Sequence, residues 1–155
     1  MPVSVRLANV ADEPMLVRCV RAAYARYTPR IGREPAPMST DFQAQIQAGR
    51  VRIIEREDKP AGYAVIEPRA GELHLHSVAI LPAFSGMGLG RTLMQAIEDE
   101  ARHLGLARIT LYTNALMHEN LAWYPRLGYR ETGRGIEHGF DRVFFEKRLA
   151  DADGG

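Results

Sequence analysis

Three glycines at every second position, Gly86, Gly88 and Gly90, stand between an alternating apolar run and a helical one. The run before them, residues 73–80, reads L-H-L-H-S-V-A-I and predicts a strand. Pro82 ends it, because proline has no N–H for a ladder. The run after them puts Leu89, Leu93, Ala96, Ile97, Ala101 and Leu104 on one helical face. Strand, glycine loop and helix start together make a place for phosphate. First-turn N–H groups point outward there, and the helix dipole favours negative charge. Ser85 is a candidate cap for this helix. Spacing excludes two common phosphate loops. G-x-G-x-x-G needs a third glycine where Arg91 stands, and no lysine follows to make a Walker loop.

Around this centre the chain reads as α/β. Val3 to Leu7 alternates and predicts a first strand. Residues 9–14 carry helix-start chemistry, with Asp12 as cap, Glu13 in the first turn and Pro14 near the first helical position. Leu16, Val17, Val20, Ala23 and Tyr24 form its apolar face, and Thr28-Pro29 is expected to stop it after about Tyr27. Gly32, Pro35 and Pro37 forbid a continuous element over 30–38. Ser39 or Thr40 is expected to cap a short second helix ending near Ala48-Gly49. Residues 50–56 and 61–67 predict two strands joined by a turn at Glu57-Asp58-Lys59-Pro60. Gly105 marks the end of the central helix. Residues 108–113 predict a fifth strand, parallel to the central one through a right-handed crossover. Over 114–129 the sequence N-A-L-M-H-E-N-L-A-W-Y-P-R-L-G-Y predicts a helix that is short or kinked, because Pro125 removes an N–H and crowds Tyr124. Residues 129–136 and 142–149 predict a closing antiparallel pair; the Phe144-Phe145 strand either closes the sheet or pairs with a second copy in a homodimer. The expected organisation is one domain over 1–150 and a frayed tail over 151–155.

The stretch Ser85-Gly86-Met87-Gly88-Leu89-Gly90 resembles motif A of the GNAT superfamily of N-acetyltransferases, Q/R-x-x-G-x-G/A, with Ser85 in place of Gln or Arg. Tyr124 and the ending Leu127-Gly128-Tyr129 resemble the family's second signature. The resemblance covers most of the chain. It implies a mixed, mostly antiparallel sheet of about seven strands flanked by about four helices, with acetyl-CoA held between the fourth and fifth strands. It implies that loop amides from Met87 to Arg91 hold the pyrophosphate, with Ser85, Gly86, Gly88, Leu89 and Gly90 around it. Main chain near Val78 and Ile80 would meet the pantetheine arm and the developing oxyanion. Asn114 and Asn120 are further cofactor candidates; the family's Asn, seven residues before the tyrosine, is here Met117.

By the same resemblance Tyr124 is the general acid toward the coenzyme sulfur. A phenol of pKa about 10 is protonated at neutral pH. A general base sits about eleven residues before motif A, which is His74, and alternation puts His76, Val78 and Ile80 on the same face. Glu72 is the alternate, and a β-bulge in this strand would exchange the candidates. The segment joining the first two helices would line the acceptor pocket, which makes Tyr24, Tyr27, Arg30, Ile31 and Arg33 acceptor contacts and favours an amine bearing a carboxylate or phosphate. The implied activity is acetyl transfer to a primary amine, of a small molecule or a peptide, by direct attack in a ternary complex. The alternative is a non-catalytic CoA-binding sensor of the same fold.

Composition narrows the partners. Net charge is +1 with both signs interspersed, so no basic stripe points to nucleic acid. No apolar run reaches the length of a membrane span and no signal-peptide pattern opens the sequence, so a cytoplasmic protein is expected. The single cysteine, Cys19, lies in an apolar helical pattern and reads as a buried small residue. His103, His118 and His138 fall in different elements without ligand spacing, so no metal is expected.

Overall fold

A computed structural model describes residues 2–149. The tail expected over 151–155 lies outside the described residues. Among these there are seven strands: β1 (Val3–Leu7), β2 (Val51–Arg56), β3 (Lys59–Arg69), β4 (Glu72–Ile80), β5 (Arg108–Asn114), β6 (Arg130–Glu137) and β7 (Phe140–Arg148). The helices are α1 (Glu13–Tyr24), α2 (Thr28–Ile31, a single turn), α3 (Phe42–Gln47), α4 (Leu89–His103) and α5 (His118–Arg126). The strands form one mixed, mostly antiparallel sheet in the order β1-β2-β3-β4-β5-β7-β6.

The described residues form two compact units. One comprises the chain up to Ile66 together with His76–Ala96; the other comprises Glu67–Leu75 and the chain from Ile97 onward. In the first unit β1, β2 and β3 are antiparallel neighbours. The β2–β3 turn is tighter than expected. Glu57 and Asp58 both take positive φ (53° and 66°), as a two-residue hairpin turn matched to strand twist requires, and Pro60 stands inside β3 beside a register shift at Ile54/Glu55. Helix α1 lies against α3, and α3 against β2. Leu16, Cys19, Val20, Tyr24, Tyr27, Phe42, Ile53, Ile54 and Tyr63 are buried in this unit.

Three expected helix boundaries differ. Asp12 does not cap α1. Its carboxylate accepts from Asn9 N–H (2.8 Å) and from the two terminal guanidinium nitrogens of Arg6 (2.9 Å each), so it closes the 3₁₀ turn before the helix, which Asn9 caps. Thr28-Pro29 starts the turn α2 rather than stopping a helix, since the missing N–H of a proline costs nothing at a first helical position. Asp41, not Ser39 or Thr40, caps α3 by accepting from Ala44 N–H (3.1 Å); the Thr40 hydroxyl donates back to Pro37 O (2.7 Å).

In the second unit β4 and β5 are parallel, in register from Glu72↔Arg108 to Leu75↔Leu111. β7 lies between β5 and β6, antiparallel to both. Both edges of the Phe144-Phe145 strand are therefore occupied, so it offers no edge to a second chain, and β6 is the edge strand on this side. Burial alternates strictly along β5, with Ile109, Leu111 and Thr113 inward. Along α4 the buried residues are Leu89, Leu93, Met94, Ile97, Glu98 and Ala101; Leu104, expected on that face, is exposed because the helix has ended and Gly105 (φ 75°) turns the chain away. α5 is short, nine residues, with Pro125 one position from its end. No helix among the described residues is long and apolar enough to cross a membrane.

Candidate functional site

The glycine loop adopts the geometry its residues allow. After the 3₁₀ turn Pro82–Phe84, Gly86 and Gly88 both lie at left-handed φ, 77° and 74°, and α4 begins at Leu89. Both glycines face open space where a Cβ would stand, and Met87 and Arg91 are exposed. The first-turn amides of α4, which have no intrahelical acceptor, follow directly. The site thus has what an anion needs: main-chain donors, the positive end of a fifteen-residue helix, and open space where Cβ atoms of Gly86 and Gly88 would stand. Ser85 is not the cap of α4. Its hydroxyl donates to Pro82 O (2.8 Å), and the Thr92 hydroxyl donates to Gly88 O (3.1 Å).

Five other expected residues of the first unit, Tyr24, Tyr27, Arg30, Ile31 and Arg33, are on α1 and the turns after it; Ile31, the last residue of α2, is half-buried. Tyr24 is buried and its hydroxyl donates to the Val78 carbonyl of β4 at 2.9 Å. Tyr27 is buried too. The Arg26 guanidinium donates to its hydroxyl (2.9 Å), and the Arg26 and Arg30 guanidinium carbons lie 4.9 and 5.0 Å from its ring centre. Arg30 and Arg33 are exposed. On β4, Val78 is buried while His76 and Ile80 are half-buried. Leu73, Leu75, Ser77 and Ala79, on the opposite face, are all buried.

In the second unit four residues form a chain of hydrogen bonds. Glu72 accepts from Arg108 (3.0 Å) through one oxygen and from the Thr110 hydroxyl through the other. Thr110 has a single hydroxyl hydrogen, so toward His74 Nδ1, 2.9 Å away, it accepts. His74 therefore carries its proton on Nδ1, and Nε2 is the basic nitrogen of the neutral ring. Burial pushes the Glu72 carboxyl up, but the bonds from Thr110 and Arg108 outweigh this and hold it below the usual carboxylate range.

Tyr124 is buried on α5, its ring 5.1 Å from Trp123, 5.9 Å from Tyr129 and 5.8 Å from Phe145. Asn120 donates to Thr113 Oγ1 (3.2 Å) and approaches Met117 Sδ (3.5 Å), tying α5 to the end of β5. Asn114 Oδ1 accepts from Leu116 N–H (2.9 Å), a local turn bond. Among the described residues no group of three or more His, Cys, Asp or Glu side chains is arranged to hold a metal.

Sequence reasoning did not identify Thr110 as the link between Glu72 and His74, because a threonine in a strand has no signature beyond strand propensity. It also passed over Glu98. That residue lies within the stripe of Leu93, Met94, Ile97 and Ala101, and a charge among buried apolar positions was the available signal. Its two oxygens accept from Tyr129 (3.1 Å) and Lys147 (3.0 Å), which explains the Leu-Gly-Tyr ending: Gly128 (φ 95°) turns the chain, and Lys147 passes close above it to reach Leu127 O at 2.9 Å.

Residues 18–129 match the sequence model of the Acetyltransferase (GNAT) family. The chain is 31% identical over 137 residues to the uncharacterized N-acetyltransferase YjgM of Escherichia coli, an alignment covering 83% of this chain and 81% of that one. In fold it is similar to the ribosomal-protein-S18-alanine N-acetyltransferase of Escherichia coli, with a TM-score of 0.77 at 20% identity over 97% and 96% of the two chains. It is likewise similar in fold to YncA of Salmonella typhimurium, solved with its cofactor acetyl-CoA, with a TM-score of 0.70 at 20% identity over 97% and 96%.

Proposed function

The chain belongs to the GNAT family of acetyltransferases, and from that premise we propose that it moves an acetyl group from acetyl-CoA to a primary amine by direct attack in a ternary complex. The observation that carries this reading is the loop at Gly86 and Gly88: two left-handed glycines, open on the side a Cβ would fill, leading into the amides of α4. The amides from Met87 to Arg91 bind the pyrophosphate. The thioester supplies an acyl carbon already activated toward an amine.

The remaining work falls to side chains and to main chain of β4. The amine nitrogen bonds to the acyl carbon, the carbon–sulfur bond breaks, the Tyr124 hydroxyl gives its proton to the leaving sulfur, and the proton lost by the amine passes to a base. His74 and His76 are the base candidates. The hydrogen bonds of Glu72 favour them over it, since both of its oxygens already accept. For His74, the bond to Thr110 keeps Nε2 as the basic nitrogen. Main-chain N–H groups near Val78 stabilise charge on the acyl oxygen. Tyr27, Arg30 and Arg33 receive the acceptor, and two exposed arginines favour one that carries a carboxylate or phosphate.

The test is thermal unfolding with acetyl-CoA and with an adenine dinucleotide control, followed by thiol release with a panel of amines. A one-site ligand at ~100 times Kd adds ~2.7 kcal/mol, a shift of a few degrees for a domain of this size. A shift with acetyl-CoA alone and turnover that Tyr124→Phe lowers without loss of cofactor binding is the expected result. No shift overturns the reading. A shift without turnover on any amine points instead to a CoA-binding sensor.

A further inference from the structure

Besides the sheet ladder, neighbouring elements of the first unit meet the second half of β4 at four points. The Tyr63 hydroxyl and Ser77 Oγ lie 3.1 Å apart. Leu81 N–H donates to Ala61 O at 2.8 Å. Gly62 has no side chain where a Cβ would stand 2.5 Å from the Ala79 carbonyl oxygen and 3.1 Å from Ile80 Cα, so the β4 backbone comes close against it. The fourth point differs in kind. The Tyr24 hydroxyl, from α1 and 54 residues away in sequence, donates to the carbonyl of Val78 at 2.9 Å. The first three hold a side chain, the end of the strand and its close approach to β3. Tyr24 donates from a side chain to a peptide oxygen in the middle of this half-strand.

We propose that Tyr24 is a positioning residue for acetyl transfer: by holding the Val78 carbonyl it sets the orientation of the Val78–Ala79 peptide, and with it the main-chain N–H groups that meet the acyl oxygen of acetyl-CoA. This rests on the proposed reading that main chain near Val78 binds the acyl end of the thioester. Val78 is buried, so its carbonyl relies on protein donors, and a peptide that loses its donor turns to find another. Burial pushes the Tyr24 phenol above its ordinary pKa, with the bond to Val78 opposing it, so the hydroxyl keeps its proton and remains a donor at any working pH. Tyr24 touches no reacting atom; it acts through the peptide it holds. Because the sheet ladder and the other three points survive its loss, removing the hydroxyl alone leaves the strand in place and frees one peptide plane. A donor misdirected by such a turn is lost to the acyl oxygen but not to the pyrophosphate, which binds at the glycine loop.

The experiment measures Kd for CoA and for acetyl-CoA by calorimetry on the full chain, comparing wild type with Tyr24→Phe and with Tyr63→Phe. The second variant removes a buried phenol hydroxyl of β3 whose hydrogen bond is to a β4 side chain, Ser77. Tyr24→Phe is expected to bind CoA within twofold of wild type and acetyl-CoA about fivefold to tenfold more weakly, the worth of roughly one hydrogen bond; Tyr63→Phe is expected to leave the ratio of the two affinities unchanged. A Tyr24→Phe protein with the wild-type ratio overturns the proposal and leaves the acetyltransferase reading standing. So does equal weakening of both ligands, which marks Tyr24 as a structural residue only, or the same altered ratio in Tyr63→Phe. Wild type that binds neither ligand overturns the acetyltransferase reading itself.

Discussion

The hydroxyl of Tyr129 donates to Glu98 Oε2 at 3.1 Å, joining the last residue of the Leu-Gly-Tyr sequence to the buried side of α4. Burial, with the Glu98 charge adding to it, pushes the Tyr129 phenol well above its ordinary pKa, so it stays a donor. Lys147 completes the carboxylate and also holds Leu127 O. Glu98→Ala leaves a buried phenol hydroxyl and a part-buried ammonium without their acceptor and is expected to cost about 3 kcal/mol, whereas Tyr129→Phe, which removes one donor, costs about 1 kcal/mol. Urea unfolding measures both. A Glu98→Ala protein as stable as wild type contradicts the assignment.

Gly62→Ala is expected to destabilise by at least about 3 kcal/mol or to prevent folding. The methyl would stand 2.5 Å from a backbone oxygen and 3.1 Å from a backbone carbon, neither of which can give way as a side chain tip would. Gly133→Ala, with nothing within 4 Å of its Cβ, is expected within about 0.5 kcal/mol of wild type. Melting temperatures of the two variants decide the matter.

The Asp12 carboxyl sits below its ordinary pKa, chiefly through Arg6 and further through Asn9 N–H, against the opposing effect of burial. A carboxyl depressed in the folded state contributes stability above its unfolded pKa, about 3.9, and that contribution is lost as pH falls through the lower folded value. Asp12→Asn is therefore expected to lower stability at pH 7 by about 2 kcal/mol, from the charge-assisted bonds lost, with the gap to wild type closing below about pH 4. Unfolding curves from pH 7 to pH 2.5 give the comparison; a gap that stays constant over that range goes against it.

Gly86→Ala and Gly88→Ala each meet open space but hold a side chain at left-handed φ, which costs about 1 kcal/mol. Either variant is expected to fold, with a melting temperature a few degrees lower, and to bind CoA at least tenfold more weakly as the loop relaxes away from its amide geometry. Unchanged affinity in both would remove the loop from the binding site.

Cys19 is fully buried on α1, and burial pushes its thiol up to about 12. Only the thiolate reacts, so folded protein is expected to resist iodoacetamide at pH 8 for hours while urea-unfolded protein is alkylated within minutes. Mass spectrometry reads the difference. Rapid labelling of the folded chain would mean that α1 opens.

The order and type of the elements were legible in the sequence because they rest on short-range rules. Period-two and period-3.6 apolar patterns marked the strands and the long helix, and glycine and proline marked where chain direction changes, so the loop at Gly86 and Gly88 and the C-cap at Gly105 stand where spacing put them. Cap identities were less legible, although caps are local. Asp12 has several donors within reach, and Arg6 and Asn9 claim it; Asp41 caps α3 in place of Ser39 or Thr40.

What tertiary structure alone decided concerns residues distant in sequence. The Tyr24 hydroxyl meets Val78 across 54 positions, Thr110 links His74 to Glu72 across 36 and 38, and Glu98 meets Tyr129 across 31 and Lys147 across 49. Gly62 is required by the close approach of another strand, not by any turn of its own. Periodicity reports which face of an element is buried, since burial follows from local geometry and water. Which polar atom a buried donor finds depends on the register of strands and the seating of helices, and those are set only when the whole chain has packed.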